Sequence, residues 1–295
     1  MKPNFEVGKA LSFAFDVIRA RPRAFIMLAI WTALYGAILG VFQLQAIGPE
    51  LAQMIELGTA TGSDDTAAAM QAMSQYFSAM LPFTVVALIL GIVVESAWLR
   101  LFVRGQDGGL FPFRLGRDEG VYALTGLLVI LIIVAAILLS MIAMFVIALL
   151  FSGLGQAGTA IGGLLGAFIM LGLLAIVFTQ ISPALALSLL KNRISIGATI
   201  RGAQKMFWPL LGSFIVAIIT MMLFYSVITA LIAVMPFNEF GLLPSGDFAG
   251  WSAMFPYYVV VQMIALIPVA ILRGVACYAA LQIEESNRPL ADTFS

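Results

Sequence analysis

The residues able to do chemistry in this chain are few, and the foremost is Glu95. It lies in Gly91-Ile-Val-Val-Glu-Ser-Ala-Trp-Leu-Arg100 and is the only acid inside an apolar run long enough to cross a bilayer. A carboxylate at that depth needs a partner or stays protonated. Arg100 follows at i+5, off the Glu95 face of a helix, so the partner must come from elsewhere. Arg273, in Ile271-Leu-Arg-Gly-Val-Ala-Cys277, is the candidate. It also lies within an apolar run, on a segment that crosses in the same direction. A Glu95–Arg273 contact between the second and sixth runs could gate an ion or substrate or carry a proton. The plainer, structural reading is a buried clamp between helices or snorkelling toward the headgroups. Gln180, in Val177-Phe-Thr-Gln, and Gln262, in Val259-Val-Val-Gln, hold comparable places in the fourth and sixth runs. Three such groups facing one interior would suit a polar solute. The plainer reading is hydrogen bonding between helices, worth ~0.6–2 kcal/mol each.

Other chemistry is thinly represented. There is no histidine and one cysteine, Cys277, so His-based acid–base work and an intrachain disulfide are excluded. No metal-ligand cluster, nucleophile elbow or phosphate-binding glycine loop stands in the sequence. Asp118-Glu119, following Arg117, reads as a solvated helix start. The expectation is therefore no catalytic residue, no cofactor and no metal. Gly158, Gly162 and Gly166 repeat at four-residue spacing on an apolar helix, a pattern that permits close backbone approach within the fold or to a partner chain.

The elements that must position these residues follow from composition. The 295-residue chain is 62% hydrophobic and 10% charged, against about 25% charged for soluble domains. Six apolar runs, about 24–44, 80–103, 121–150, 160–190, 207–235 and 256–281, each suffice to cross about 30 Å of hydrocarbon. Pro183 and Pro268 mark expected kinks in the fourth and sixth. The first run continues too long for a signal-peptide core and reads as an uncleaved span.

All fifteen Lys and Arg fall toward one side, between the runs or, as Arg100 and Arg273 do, inside the ends nearest that side, and the three segments joining the runs on the other side carry none. Concentration of Lys and Arg in short cytoplasmic loops fixes orientation. Both termini are thus expected to be cytoplasmic in a bacterial inner membrane. Six acids lie outside, and fifteen bases with nine acids lie inside. The inner face suits anionic headgroups. Nucleic acid is not implied, since there is no soluble basic patch. Segment 46–79 is expected to form two short outer helices, about 49–58 and 64–79, with Ser63-Asp64-Asp65 as a cap. Loop 151–159 is short and Gly-rich, and 236–255 reads as irregular.

A small signature recurs ahead of each odd-numbered run: Phe5-Glu-Val-Gly8, Phe113-Arg-Leu-Gly116 and Ile194-Ser-Ile-Gly197. The chain therefore reads as a single membrane domain, 1–295. Its units are about 1–104, 105–191 and 192–284, followed by a tail at 285–295. Each unit is a cytoplasmic helix plus a helical hairpin. The first such helix has Glu6, Lys9, Asp16 and Arg23 on one face and Val7, Leu11, Phe15 and Ile18 on the other, an interfacial pattern. Segment 195–206 is similar, and the middle one, 113–119, is short. These helices could sense or deform a leaflet, or serve only as elbows that orient each hairpin.

The stretch Phe5-Glu-Val-Gly-Lys-Ala-Leu11 with Arg21-Pro-Arg23 before the first run resembles the membrane domain of bacterial glycerophosphoryl diester phosphodiesterases. It also resembles related uncharacterised six-span inner-membrane proteins. The segment from Ile196 to Pro209 is similar to that family's second half, and Phe113–Glu119 to a segment of such uncharacterised proteins. The resemblance implies fold. The phosphodiesterase depends on histidines in a separate catalytic domain, so no catalytic residue carries over. The fold class expected is an all-α integral membrane protein with six transmembrane helices, three cytoplasmic interfacial helices and a pseudo-threefold repeat. The function expected is non-enzymatic: an accessory or lipid-interacting component whose partners are membrane lipids, with a protein partner or homo-oligomer possible. The alternative is a transporter or channel for a small or amphipathic solute, using Glu95, Arg273, Gln180 and Gln262.

Overall fold

Proline and glycine set most of the boundaries in the structure, a computed structural model that describes residues 5–59, 66–106, 109–234 and 248–287. Helix α1 (Val7–Ala20) stops at Arg21, because Pro22 restricts the residue before it and itself opens α2 (Pro22–Thr59). Helix α3 (Thr66–Leu99) returns and widens into a π-helical turn, Arg100–Arg104. That turn closes at Gly105, whose φ of 59° is left-handed and whose N–H donates to the Arg100 carbonyl. A side chain at Gly105 would meet the Arg21 guanidinium, so the turn also rests on the α1–α2 corner.

Helices α4 (Arg117–Ser152) and α5 (Gly155–Ile181) form a hairpin joined by two residues. Ser182-Pro183 breaks the helix before α6 (Ala184–Lys191), as expected where Pro removes a donor. Asn192, at φ 51°, ends α6, and the Arg193 N–H donates to the Ser188 carbonyl in a Schellman-type closure. Helices α7 (Ile196–Lys205), α8 (Phe207–Val234) and α9 (Phe248–Asn287) complete the chain. Pro268 lies inside α9 without ending it.

Six helices are long and apolar enough to cross a membrane: 22–43, 70–104, 117–152, 160–191, 207–230 and 258–286. Several exceed the bilayer. Helix α2 has 38 residues, about 57 Å at 1.5 Å per residue, against ~30 Å of hydrocarbon. The separate outer helices expected over 49–58 and 64–79 are instead continuations of α2 and α3. The chain stays helical through Gly48 and Pro49 to Thr59, and is helical again from Thr66. The Ser63-Asp64-Asp65 cap lies outside the described residues. So do 236–247 of the expected irregular segment, while 248–255 are the first turns of α9. In 151–159 only Gly153 and Leu154 interrupt helix, and in the expected tail 285–287 are still α9.

The middle cytoplasmic helix is also corrected. Residues 112–115 are not helical, and 117–119 are the first turn of α4 itself, since Pro112 and an extended Gly116 keep the preceding chain open. The short helices α1 and α7 both pack on α9. Helix α1 crosses it where Ala14 meets Gly274, and α7 where Gly202 meets Ile283. In α1 the face turned to the protein is Ala10, Phe13, Ala14 and Val17, while Phe15 of the expected apolar stripe stands exposed.

The buried core lies at the end where the Lys and Arg clusters meet, here called the basic end. Helix α9 is its axis, touching α1, α2, α6, α7, α8 and the π turn. Trp98, Leu187, Leu189, Met206, Leu210 and Ile283 are fully enclosed there. Toward the opposite end the spans expose apolar side chains such as Phe42, Leu81, Leu139, Phe145 and Phe168.

Candidate functional site

Glu95 reaches Arg273 from α3, and the two form a bidentate pair. Arg273 Nε donates to Glu95 Oε2 at 2.8 Å, and Nη2 donates to Oε1. The parallel fork is the geometry a guanidinium favours with a carboxylate. Arg273 Cζ also stands 5.2 Å over the Trp98 ring, an arrangement attractive to a cation. Trp98 is in turn fixed: its Nε1 donates to Thr32 Oγ1 at 3.1 Å, and Phe25 meets its ring edge-on at 5.1 Å. The pair thus ties α3 to α9 on a platform that also holds α2. Beside it opens a cavity of about 210 Å³, whose polar wall is Glu95, Arg273, Tyr122 and Ser182 and whose other walls include Phe178, Leu185 and Phe214.

Gln180 and Gln262 do not join this site. Gln262 lies on α9 eleven residues before Arg273, about 16 Å along the axis, and packs on α2: a methyl added to Gly36 would stand 3.1 Å from its amide carbon. Gln180 precedes Ile181, which lines the Glu95 cavity. The helical step of one residue turns it to a different cleft with Gln204 and Lys205. Glu95, Gln180 and Gln262 therefore do not face one shared interior: comparable positions along three spans do not have the same rotational phase.

A second set of charges was missed from sequence. Asp118 and Glu119 are not a solvated start. Arg100 donates to Glu119 Oε1, with the two side chains only 7% and 6% exposed. Ser96 Oγ donates to the same oxygen at 3.1 Å, and Arg100 Nη2 reaches the Pro112 carbonyl at 3.4 Å. One turn on, Arg104 pairs with Asp118 at 2.8 Å and also donates to the Leu189 carbonyl of α6. Lys191 pairs with Glu284 at 2.7 Å, joining α6 to α9. Two cations one turn apart facing two adjacent acids was the available signal. The open stretch at 112–116 leads directly into the first turn of α4, which carries both acids. Carboxylates in the first turn of α4 also suit its dipole.

The glycine stripe is internal. A side-chain atom at Gly158 would strike the Phe151 carbonyl, at Gly162 the Phe151 and Ala148 atoms, and at Gly166 Met144. All belong to α4, so the stripe zips the α4–α5 hairpin and is not free to join a second copy. Gly8 and Gly197 are the second residues of α1 and α7 and meet nothing within 4 Å, while Gly116 precedes α4. In comparisons with known proteins, no family model, no curated protein and no solved structure matches this chain.

Proposed function

We propose that this chain is a non-enzymatic, lipid-interacting component of a bacterial inner membrane, with both termini cytoplasmic, acting through its basic end. The observation that carries the reading is the surface of that end. Leu115 (84% exposed) and Trp208 (77%) project there, close in sequence to the exposed cations Arg114, Arg117, Arg201 and Lys205, and Leu110 (79%) lies deeper beside α2, its carbonyl accepting from Trp31 Nε1 at 2.9 Å. Apolar side chains interleaved with cations suit the headgroup layer of an anionic leaflet. Phe15 on α1 extends the same surface. Helices α1 and α7 serve as interfacial elements, and the order short helix, span, span relates units 1–104 and 192–284. The middle unit keeps the hairpin without the helix. The fold is proposed to be that of the phosphodiesterase membrane domains, serving here without their catalysis.

The test is thermal unfolding of the full-length protein in nanodiscs as phosphatidylglycerol replaces phosphatidylcholine. The midpoint should rise, and the rise should shrink in Arg114→Gln/Arg117→Gln. An unchanged midpoint in every lipid contradicts the reading.

A second reading, a transporter for an amphipathic solute, draws on the cavity beside Glu95 and Arg273. It would be favoured by a small solute retained on gentle extraction and lost in Glu95→Gln.

A further inference from the structure

Three polar side chains converge at the basic end and make no hydrogen bond or ion pair among the described residues. Gln180, half-buried near the end of α5, faces Gln204 and Lys205 at the end of α7 across an open cleft of about 380 Å³, with Ile176 and Trp208 on its walls. Such an amide in a membrane-crossing helix ordinarily bonds to a neighbouring helix, because hydrocarbon offers no partner. Gln262 by comparison is packed against α2. Gln180 instead opens onto a lysine and a second amide, with no acid on the cleft wall.

The chemistry of the cleft is consistent across its parts. Lys205 supplies one positive charge, and the two carboxamides supply N–H donors for anionic oxygens and carbonyl acceptors for a hydroxyl. Trp208, an indole exposed at the start of α8, belongs at headgroup level. Ile176 lies one turn from Gln180 on α5. The exposed apolar residues Ile169 of α5, three turns before Gln180 on the same face, and Ile215 and Ile219 of α8, on the face of Trp208, give acyl chains a surface to follow.

We propose that this cleft binds one anionic phospholipid, its phosphate held by Lys205 and the amides of Gln180 and Gln204 and its chains lying along α5 and α8. The proposal rests on the lipid-interacting reading and gives it a place.

The experiment is native mass spectrometry of the full-length protein titrated with phosphatidylglycerol or phosphatidylcholine. The wild type should retain one phosphatidylglycerol in preference to phosphatidylcholine. Lys205→Gln should weaken that retention by about fivefold, the order expected for one cation near a headgroup, and Gln180→Leu by about fivefold, the order expected for one lost hydrogen bond. Lys205→Arg and Lys9→Gln should keep it. Retention equal in all variants overturns the site while leaving the lipid-interacting reading standing. No preference for phosphatidylglycerol in the wild type overturns both. Displacement of the lipid by an equal concentration of inorganic phosphate or glycerophosphate would make the cleft a soluble-anion site and overturn the lipid assignment.

Discussion

The basic end and the opposite half of the spans are built from the same apolar alphabet but packed by different means. At the basic end Leu187 is fully enclosed, the ion pairs Arg100–Glu119 and Arg104–Asp118 bind the π turn to α4, and Lys191–Glu284 binds α6 to α9. In the other half Leu139 is 62% exposed, and in the α4–α5 hairpin the glycines of α5 lie close against Phe151 and Met144 of α4. The difference follows from the solvent. Lipid chains are as apolar as leucine, so burial of leucine there gains little, and helices associate through close backbone approach and polar contacts. Where the chain meets the headgroup layer, polar partners become available and a core assembles around them.

The largest break in this contrast should come from Glu119→Ala, which leaves the Arg100 guanidinium buried without its partner. A loss of about 3–5 kcal/mol is expected, measured by reversible unfolding in mixed micelles. Replacing both residues by leucine should recover most of it. Next, Leu187→Ala should cost about 2–5 kcal/mol, while Leu139→Ala should stay within about 0.5 kcal/mol. Equal losses would erase the distinction between the two regions. Gly162→Leu should cost about 1–3 kcal/mol by forcing α5 off α4. Gly163→Leu, with open space at its position, should not. Smallest is the coupling in a Glu95→Gln/Arg273→Gln cycle, about 0.5–3 kcal/mol, placed low because Glu95 is 35% exposed.

The six spans were legible because length and hydropathy are local properties. The Glu95–Arg273 contact was legible because two opposite charges deep in apolar runs have few other partners. The break at Ser182-Pro183 was signalled by its proline. The placements of Gln180 and Gln262 were not legible: depth can be counted along a sequence, but rotational phase depends on how each helix packs. Asp118-Glu119 looked solvated because the extended stretch at 112–116, which folds them onto Arg100 and Arg104, leaves no periodic trace. The short outer helices failed for the opposite reason. Gly48-Pro49 has the composition of a break, yet α2 runs through it.

The most direct measurement is the environment of the loop at the basic end. A nitroxide on Leu115→Cys, in a Cys277→Ala background, would be read in phosphatidylglycerol vesicles for collisions with oxygen and with a water-soluble nickel chelate. The expected result is oxygen access exceeding nickel access, as for a side chain seated among the lipids, with the same preference at Leu110→Cys. Nickel access dominating at both positions would place this surface in water and contradict the lipid-interacting function.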